Sequence, residues 1–302
     1  MFILLGIFIG FILPIQICLN TKLSQSTTSP MIATFTSFIV GSIPLAIATY
    51  IVDKSLLISS ETLSTIPWWA WLGGPIGILY LMNSVILFQK LGASQAAILP
   101  ILGQICTGLI IDHFGLFHAN VVPINFSKAI GAICVLIGVL GTVPKVSQHT
   151  NQSKRLALYQ LLGISTGALS AIQATINGQL GVSINSSVKA SLISFIFGTL
   201  ICIIILLVTR PFPTKEYFKA QYNPWWMWLG GLIGASYVLG ITYLVPVIGT
   251  GLAVLTSLLG ITAGGLCVEH FGWLHTPVKP ITLKQFISLT IMILGILFIQ
   301  FF

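Results

Sequence analysis

Ten stretches of mostly apolar residues recur along the chain, at about 2–20, 31–52, 67–89, 93–113, 126–143, 156–177, 188–209, 225–247, 251–270 and 283–302. A helix crossing the hydrocarbon core of a bilayer needs about 20 such residues. In lipid every backbone N–H and C=O must be paired within the protein, so each stretch is expected to be helical. None alternates with a period of two, which argues against a transmembrane β-barrel. Only 6% of the residues are charged, against 56% hydrophobic. Soluble domains carry about 25% charged residues. The expected fold is therefore all-α, a polytopic membrane protein with ten transmembrane helices. The first stretch lacks a basic leader and a small-x-small cleavage site, so it reads as a retained helix rather than a signal peptide.

A shift of 157 residues aligns the two halves without a gap. Gly6 meets Gly163, Gly10 meets Gly167, Gln16 meets Gln173, Asn20 meets Asn177, Phe38 meets Phe195 and Gly41 meets Gly198. The string Trp68-Trp69-Ala70-Trp71-Leu72-Gly73-Gly74 returns as Trp225-Trp226-Met227-Trp228-Leu229-Gly230-Gly231. Gly77/Gly234 and Tyr80/Tyr237 continue the register, and His113-Phe114-Gly115 returns as His270-Phe271-Gly272, with Asp112 replaced by Glu269. The expected organisation is a first five-helix repeat at 1–145, a linker at 146–156 and a second five-helix repeat at 157–302. Five is odd, so the second repeat enters the membrane from the opposite side. This inverted arrangement is common in secondary transporters, whose central site opens to each face in turn. With both chain ends outside, ten basic residues fall on the inner side and Lys54, Lys128 and Lys189 on the outer, in the sense of the positive-inside rule.

Other functions find little support. The net charge of +8 is dispersed between apolar runs, without the basic stripe of a nucleic-acid binder. No HExxH or phosphate-binding motif occurs, and the GxSxG match Gly163-Ile164-Ser165-Thr166-Gly167 lies inside an apolar stretch rather than at a strand-to-helix turn, so neither an enzyme nor a nucleotide-driven pump is expected, and no cofactor or metal. Cys18, Cys106, Cys134, Cys202 and Cys267 all lie in apolar segments and read as packing residues. The expected partners are membrane lipid and a small-molecule substrate, for a monomer or homodimer. The alternative to a transporter is a membrane scaffold or sensor component, although no soluble reporter domain is evident.

Polar residues inside the apolar stretches are the candidate pathway. Gln16 and Asn20 share one helix face, as do Gln173 and Asn177. They serve either as interhelical hydrogen-bonding groups or as a neutral lining. Asn20 and Asn177 also read as helix-end residues. Tyr80 and Tyr237 join this set. Asn83, Gln95 and Gln104 are polar only in the first half, opposite Gly240, Leu252 and Ile261. Gln104 follows Pro100 by four residues, where a kink frees a carbonyl for it or opens a binding site. Asp112-His113 and Glu269-His270 end the fourth and ninth stretches. An acid at a helix C-terminus opposes the macrodipole, so each needs a partner, the adjacent His or a nearby Lys. Two roles stay open for them, an interfacial ion pair and a proton-coupling carboxylate. Small residues four apart, such as Gly73/Gly77 and Gly230/Gly234, allow close helix approach. The tryptophan clusters read as headgroup anchors.

Leu99-Pro100-Ile101-Leu102-Gly103-Gln104, followed by Gly108-Leu109-Ile110-Ile111-Asp112-His113-Phe114-Gly115, resembles the YdcZ family of the drug/metabolite transporter superfamily. The Trp-rich string at 68–74 and Gly6-xxx-Gly10 with Gln16 and Asn20 fit it as well. The resemblance covers nearly the whole chain, as a fused tandem pair of the family's five-span unit. It implies a ten-helix inverted-repeat transporter, multi-pass in the bacterial cytoplasmic membrane, and leaves the substrate open. The second half departs from the pattern, with Ser257 and Ile261 in place of Pro100 and Gln104.

Overall fold

The computed structural model describes residues 1–91, 93–142, 153–209 and 224–301. All regular structure among them is helical: α1 (Phe2–Thr27), α2 (Pro30–Asp53), the short α3 (Ser60–Thr65), α4 (Gly73–Leu91), α5 (Ala93–Phe114), α6 (Phe126–Thr142), α7 (Ser153–Ser183), α8 (Ser187–Thr209), α9 (Gly230–Ile248), α10 (Thr250–Phe271) and α11 (Leu283–Phe301). Among the described residues, α1, α2, α8, α10 and the segments Trp68–Leu91 and Trp225–Ile248 are long and apolar enough to cross a membrane. Shorter apolar stretches, Leu99–Phe114, Phe126–Gly138 and Leu283–Phe298, lie in α5, α6 and α11. α7 is not in that set because it is rich in polar residues. Thr166, Ser170, Gln173, Thr175 and Asn177 are all buried, facing protein rather than lipid.

Local chemistry sets the helix ends. Ser29 caps α2 by accepting the Ile32 N–H at 3.4 Å, and Pro30 occupies the first turn, where no N–H is needed. Gly115 and Gly272, both at φ +62°, stop α5 and α10. The shift of 157 maps α4 onto α9 and α5 onto α10 at both ends, and the 3₁₀ turn Trp68–Leu72 onto Trp225–Leu229. One expected loop is corrected. The span anticipated over 2–20, with a connection at 20–30, is a helix running to Thr27. Thr21, Leu23, Ser24 and Thr27 are buried in that extension, and tertiary packing outweighs their modest helix preference.

The closest packing joins one half of the sequence to the other. α1 lies parallel to α10: a Cβ on Gly10 would land on the Ser257 carbonyl, and Cβ atoms on Gly260 and Gly264 on the carbonyls of Ile7 and Phe11. α7 lies on α5 in the same way, Gly167 against the Pro100 carbonyl and Gly103 against that of Ile164. Glycine at these places lets backbones touch, which supplies dispersion contacts where lipid offers no hydrophobic drive. Phe38 and Phe195 meet at 5.0 Å between α2 and α8, with Gly41 against Phe195 and Gly198 against Phe38. This crossing is antiparallel. So is that of α6 and α11, where Gly138 faces Ser288 and Met292 while Gly295 faces Gly131. Corresponding helices of the two halves thus run in opposite directions. Outward faces are apolar, as at Ile204, Leu207 and Val208 of α8 and Phe286, Leu294 and Leu297 of α11. Patches of this extent suit hydrocarbon, not water.

Candidate functional site

At the centre, where α1, α2, α4, α7, α8 and α9 converge, lies a cavity of about 30 Å³. Its lining comes in repeat-related pairs: Gln16 with Gln173, Phe38 with Phe195, Gly77 with Gly234, Tyr80 with Tyr237, and Leu81 with Val238. Leu13 and Ser37 complete it. The volume suits a water molecule or two, so the conformation is closed around its centre. Aromatic rings supply stacking faces, amides and phenols supply neutral hydrogen-bonding groups, and among the described residues no charged side chain lines it.

Two sequence patterns interlock at this site. The amides four apart on α1 sit over the glycines four apart on α9. A Cβ on Gly234 would strike the Gln16 amide, and one on Gly230 the Asn20 amide. Reciprocally, Gly77 holds Gln173 and Gly73 holds Asn177. Asn20 and Asn177 are thus not helix-end groups. They are 1% and 0% exposed, one turn beyond the cavity. Asn20 Oδ1 accepts from Ser37 Oγ at 2.6 Å. Its Nδ2, and both amide atoms of Asn177, are buried without a hydrogen-bond partner in the structure. The phenol of Tyr237 reaches the side chains of Ser170 and Ser257. Tyr80 has Leu13 and Pro100 at the matching places.

The remaining candidates lie elsewhere. Asn83 is half-buried on α4, outside the cavity lining. Gln104 is 3% exposed in α5, and its Oε1 has no partner. Gln95 lies in α5, with its side chain outside the described residues. Phe38, Phe195, Ser37 and the Gly77/Gly234 pair belong to the site but were not among the pathway residues expected from sequence. The signal that could have found them is their recurrence at 157 residues.

Lys128 lies near Asp112 and lines the same cavity, but Asp112 has its direct hydrogen-bond partners in backbone groups of α10. At the C-terminal end of α5 its Oδ1 accepts the Thr250 N–H at 3.0 Å, and its Oδ2 accepts the Gly251 N–H at 2.6 Å. The carboxylate therefore caps the N-terminus of α10, where the macrodipole favours an anion. Gly249, at φ +82°, makes the turn into α10, and a Cβ there would lie 3.3 Å from Asp112 Oδ2. His113 is engaged elsewhere, its Nδ1 accepting the Ile124 N–H at 3.1 Å, and His270 does the same for Ile281. Glu269 stands 3.9 Å from Lys279. Among the described residues no group of three or more His, Cys, Asp or Glu is placed to hold a metal ion. Trp68 and Trp225 are 76% and 74% exposed, as headgroup anchors would be, whereas Trp69 packs edge-on against Phe117 and His118.

Between α5 and α7 an apolar groove of about 820 Å³ opens outward, lined by Leu102, Cys106, Leu158, Leu161, Ser165 and Ala168 among others. On α1, Phe8 and Phe11 stand where α7 has Ser165 and Ala168.

Comparison with known proteins gives the site its context. A solved chain described as "Crystal structure of protein" superposes with a TM-score of 0.57 at 15% identity, covering 97% of this chain and 95% of that one. At that identity the likeness shows the fold alone. "Inner membrane protein YdcZ" of Escherichia coli (strain K12) is 25% identical over 131 residues, 43% of this chain and 85% of that protein. The family described as "Putative inner membrane exporter, YdcZ" matches residues 1–141 and again 158–298. Matched in this way over both halves of its sequence, the chain belongs to the YdcZ family of the drug/metabolite transporters and is a multi-pass inner-membrane transporter.

Proposed function

We propose that the chain is a secondary transporter moving an uncharged small molecule, a metabolite or drug-like compound, across the cytoplasmic membrane by alternating access between two inverted five-helix repeats, 1–145 and 157–302, joined by a linker at 146–156. The observation carrying this reading is the central cavity lined by repeat-related pairs. A cavity on such an axis presents equivalent groups to both faces, so exchanging the conformations of the two halves exposes it to each side in turn. Gln16, Gln173, Tyr80 and Tyr237 contact the substrate, and Asn20 and Asn177 hold the neighbouring turn. Asp112, as a cap on α10, has a structural role in this scheme and not a proton-carrying one.

The test starts with an untargeted uptake screen in vesicles containing the purified protein. Accumulation of the transported compound is expected to fall by about tenfold or more in the Gln16→Ala/Gln173→Ala variant, the loss of roughly 1.4 kcal/mol of binding. Single cysteines at positions 16 and 173 are then labelled with a membrane-impermeant thiol reagent. A transporter gives labelling rates that move in opposite senses when the compound is added. Rates that stay fixed at both positions would show a static scaffold and reject the proposal.

A further inference from the structure

The two routes leading from the central cavity to the membrane faces are made of different material. α7 carries a stripe at helical spacing, Gln173, Ser170 and Thr166, running from the cavity towards its own start. The matching stripe on α1 is Gln16, Leu13 and Ile9. α7 packs on α4 and α5, whereas α1 packs on α9 and α10. On α4 and α5 stand Asn83 and Gln104, and on α9 and α10 their counterparts are Gly240 and Ile261. On the α1 side the route is filled: Ile9 packs against Gly240, and Ile9, Leu13 and Ile261 are all buried in one apolar core. α10 does carry Thr256, Ser257 and Thr262, whose hydroxyls donate to carbonyls of α10 itself, as the Thr166 hydroxyl donates to Leu162 of α7. The difference between the routes therefore rests on the amides of Asn83 and Gln104 and on the apolar fill by Ile9, Leu13 and Ile261. On the α7 side the Oε1 of Gln104, a residue 3% exposed, has no hydrogen-bond partner. A buried acceptor left open calls for a water or a ligand donor.

We propose that α4, α5 and α7 enclose a hydrated polar half-channel, leading from the central cavity to the face where α4 ends and α7 begins, and that it takes an uncharged solute bearing hydrogen-bond donors. Gln104 and Thr166 line it, and Asn83 stands on α4 at the position matching Gly240, which packs on Ile9 in the other half. The route through α1, α9 and α10 to the opposite face is an apolar plug. The inference rests on the transport reading and adds that the symmetric fold has an asymmetric lining, so the two faces admit solute through chemically different mouths.

The experiment compares matched positions. In a variant with the five native cysteines replaced by Ala, single substitutions Gln104→Cys, Thr166→Cys, Ile261→Cys and Ile9→Cys are exposed to an impermeant thiol reagent from each face in turn. Positions 104 and 166 are expected to label about tenfold or more faster than 261 and 9, and only from the face where α7 begins. Equal rates within the pairs 104/261 and 166/9 would overturn the inference. So would labelling of 104 and 166 from the other face. Positions 16 and 173, measured in the same preparation, separate the two readings: if they alternate while 104 matches 261, alternating access stands and the half-channel falls. Should the cysteine-free chain not fold, Gln104→Ile in the native background serves instead. Isoleucine already occupies the matching place, so folding is expected to persist while uptake falls about tenfold. Unchanged uptake in that variant would reject the half-channel.

Discussion

Gly10 and Gly234 both lie where a side chain would collide, but with different consequences. A Cβ on Gly10 meets the Ser257 carbonyl, part of a helix backbone that cannot move without separating α1 from α10. A Cβ on Gly234 meets the amide end of Gln16, which can swing aside. Gly10→Ala is therefore expected to cost about 1–3 kcal/mol, as overpacking of a close contact does. For a chain of this size that is a fall of roughly 1.5–2 °C in melting temperature per kcal/mol. Gly234→Ala is expected to melt close to the parent, yet lose uptake because Gln16 is displaced into the cavity. Melting and uptake curves of the two variants check this, and equal melting losses would show that the Gln16 contact is as unyielding as the backbone one. Sequence spacing places Gln16 with Asn20, and Gly230 with Gly234, on common helix faces. It cannot tell which helix each face meets, because a period of 3.6 carries no information about a partner more than 200 residues away. The cavity was legible as a set of polar residues, and its Phe and Gly members only as repeated positions.

The joint of α5 with α10 shows how far the reading of an element reached. The apolar stretches at 93–113 and 251–270 find both helices to within one residue at each end, and an acid opposing the α5 dipole demands a partner. That partner is a helix N-terminus 138 residues further on, which no local pattern marks. Asp112→Asn keeps the shape but removes the charge and one of the two N–H acceptors. It is expected to cost about 1–2 kcal/mol, the combined scale of a partly buried dipole contact and a charged hydrogen bond. Gly249→Ala places a side chain at φ +82°, ψ 159°, a region open essentially to glycine alone, against the same carboxylate, with about 1–3 kcal/mol of backbone strain. Both changes act on one joint, so their effects on melting in a double-mutant cycle are expected to be non-additive by about 0.5 kcal/mol or more. Strict additivity would mean that the turn at Gly249 and the cap by Asp112 are independent. If Asp112 is a cap rather than a proton carrier, the response of uptake to an imposed pH gradient stays the same in Asp112→Asn. A changed proton dependence in that variant would restore the coupling role.

Antiparallel pairing of α2 with α8 and of α6 with α11 has a consequence for the whole molecule. Two helices that correspond in sequence and run oppositely in one bilayer must begin on opposite faces. The start of the first repeat and the start of the second are then on different sides, and an odd number of crossings lies between them. Each half contributes five helices of 17 residues or more among the described residues, and the proposed inverted-repeat scheme has all ten cross the membrane, with both chain ends on one face. Charge decides which face that is. Lys145, Lys154 and Arg155 sit in or beside the linker, while Lys54, Lys128 and Lys189 lie on the other side, where Lys189 is held 3.5 Å from Asp53. Basic segments stay in the cytoplasm, so the linker is expected inside and both ends outside. A reporter inserted between residues 146 and 150 should be shielded from an impermeant reagent added to intact cells, and one appended after Phe302 should react. Reaction of both, or of neither, would mean that the halves point the same way. A cavity lined by pairs such as Gln16 and Gln173 would then have no symmetric means of opening to both sides, because the two-fold relation that exchanges those residues also exchanges the membrane faces.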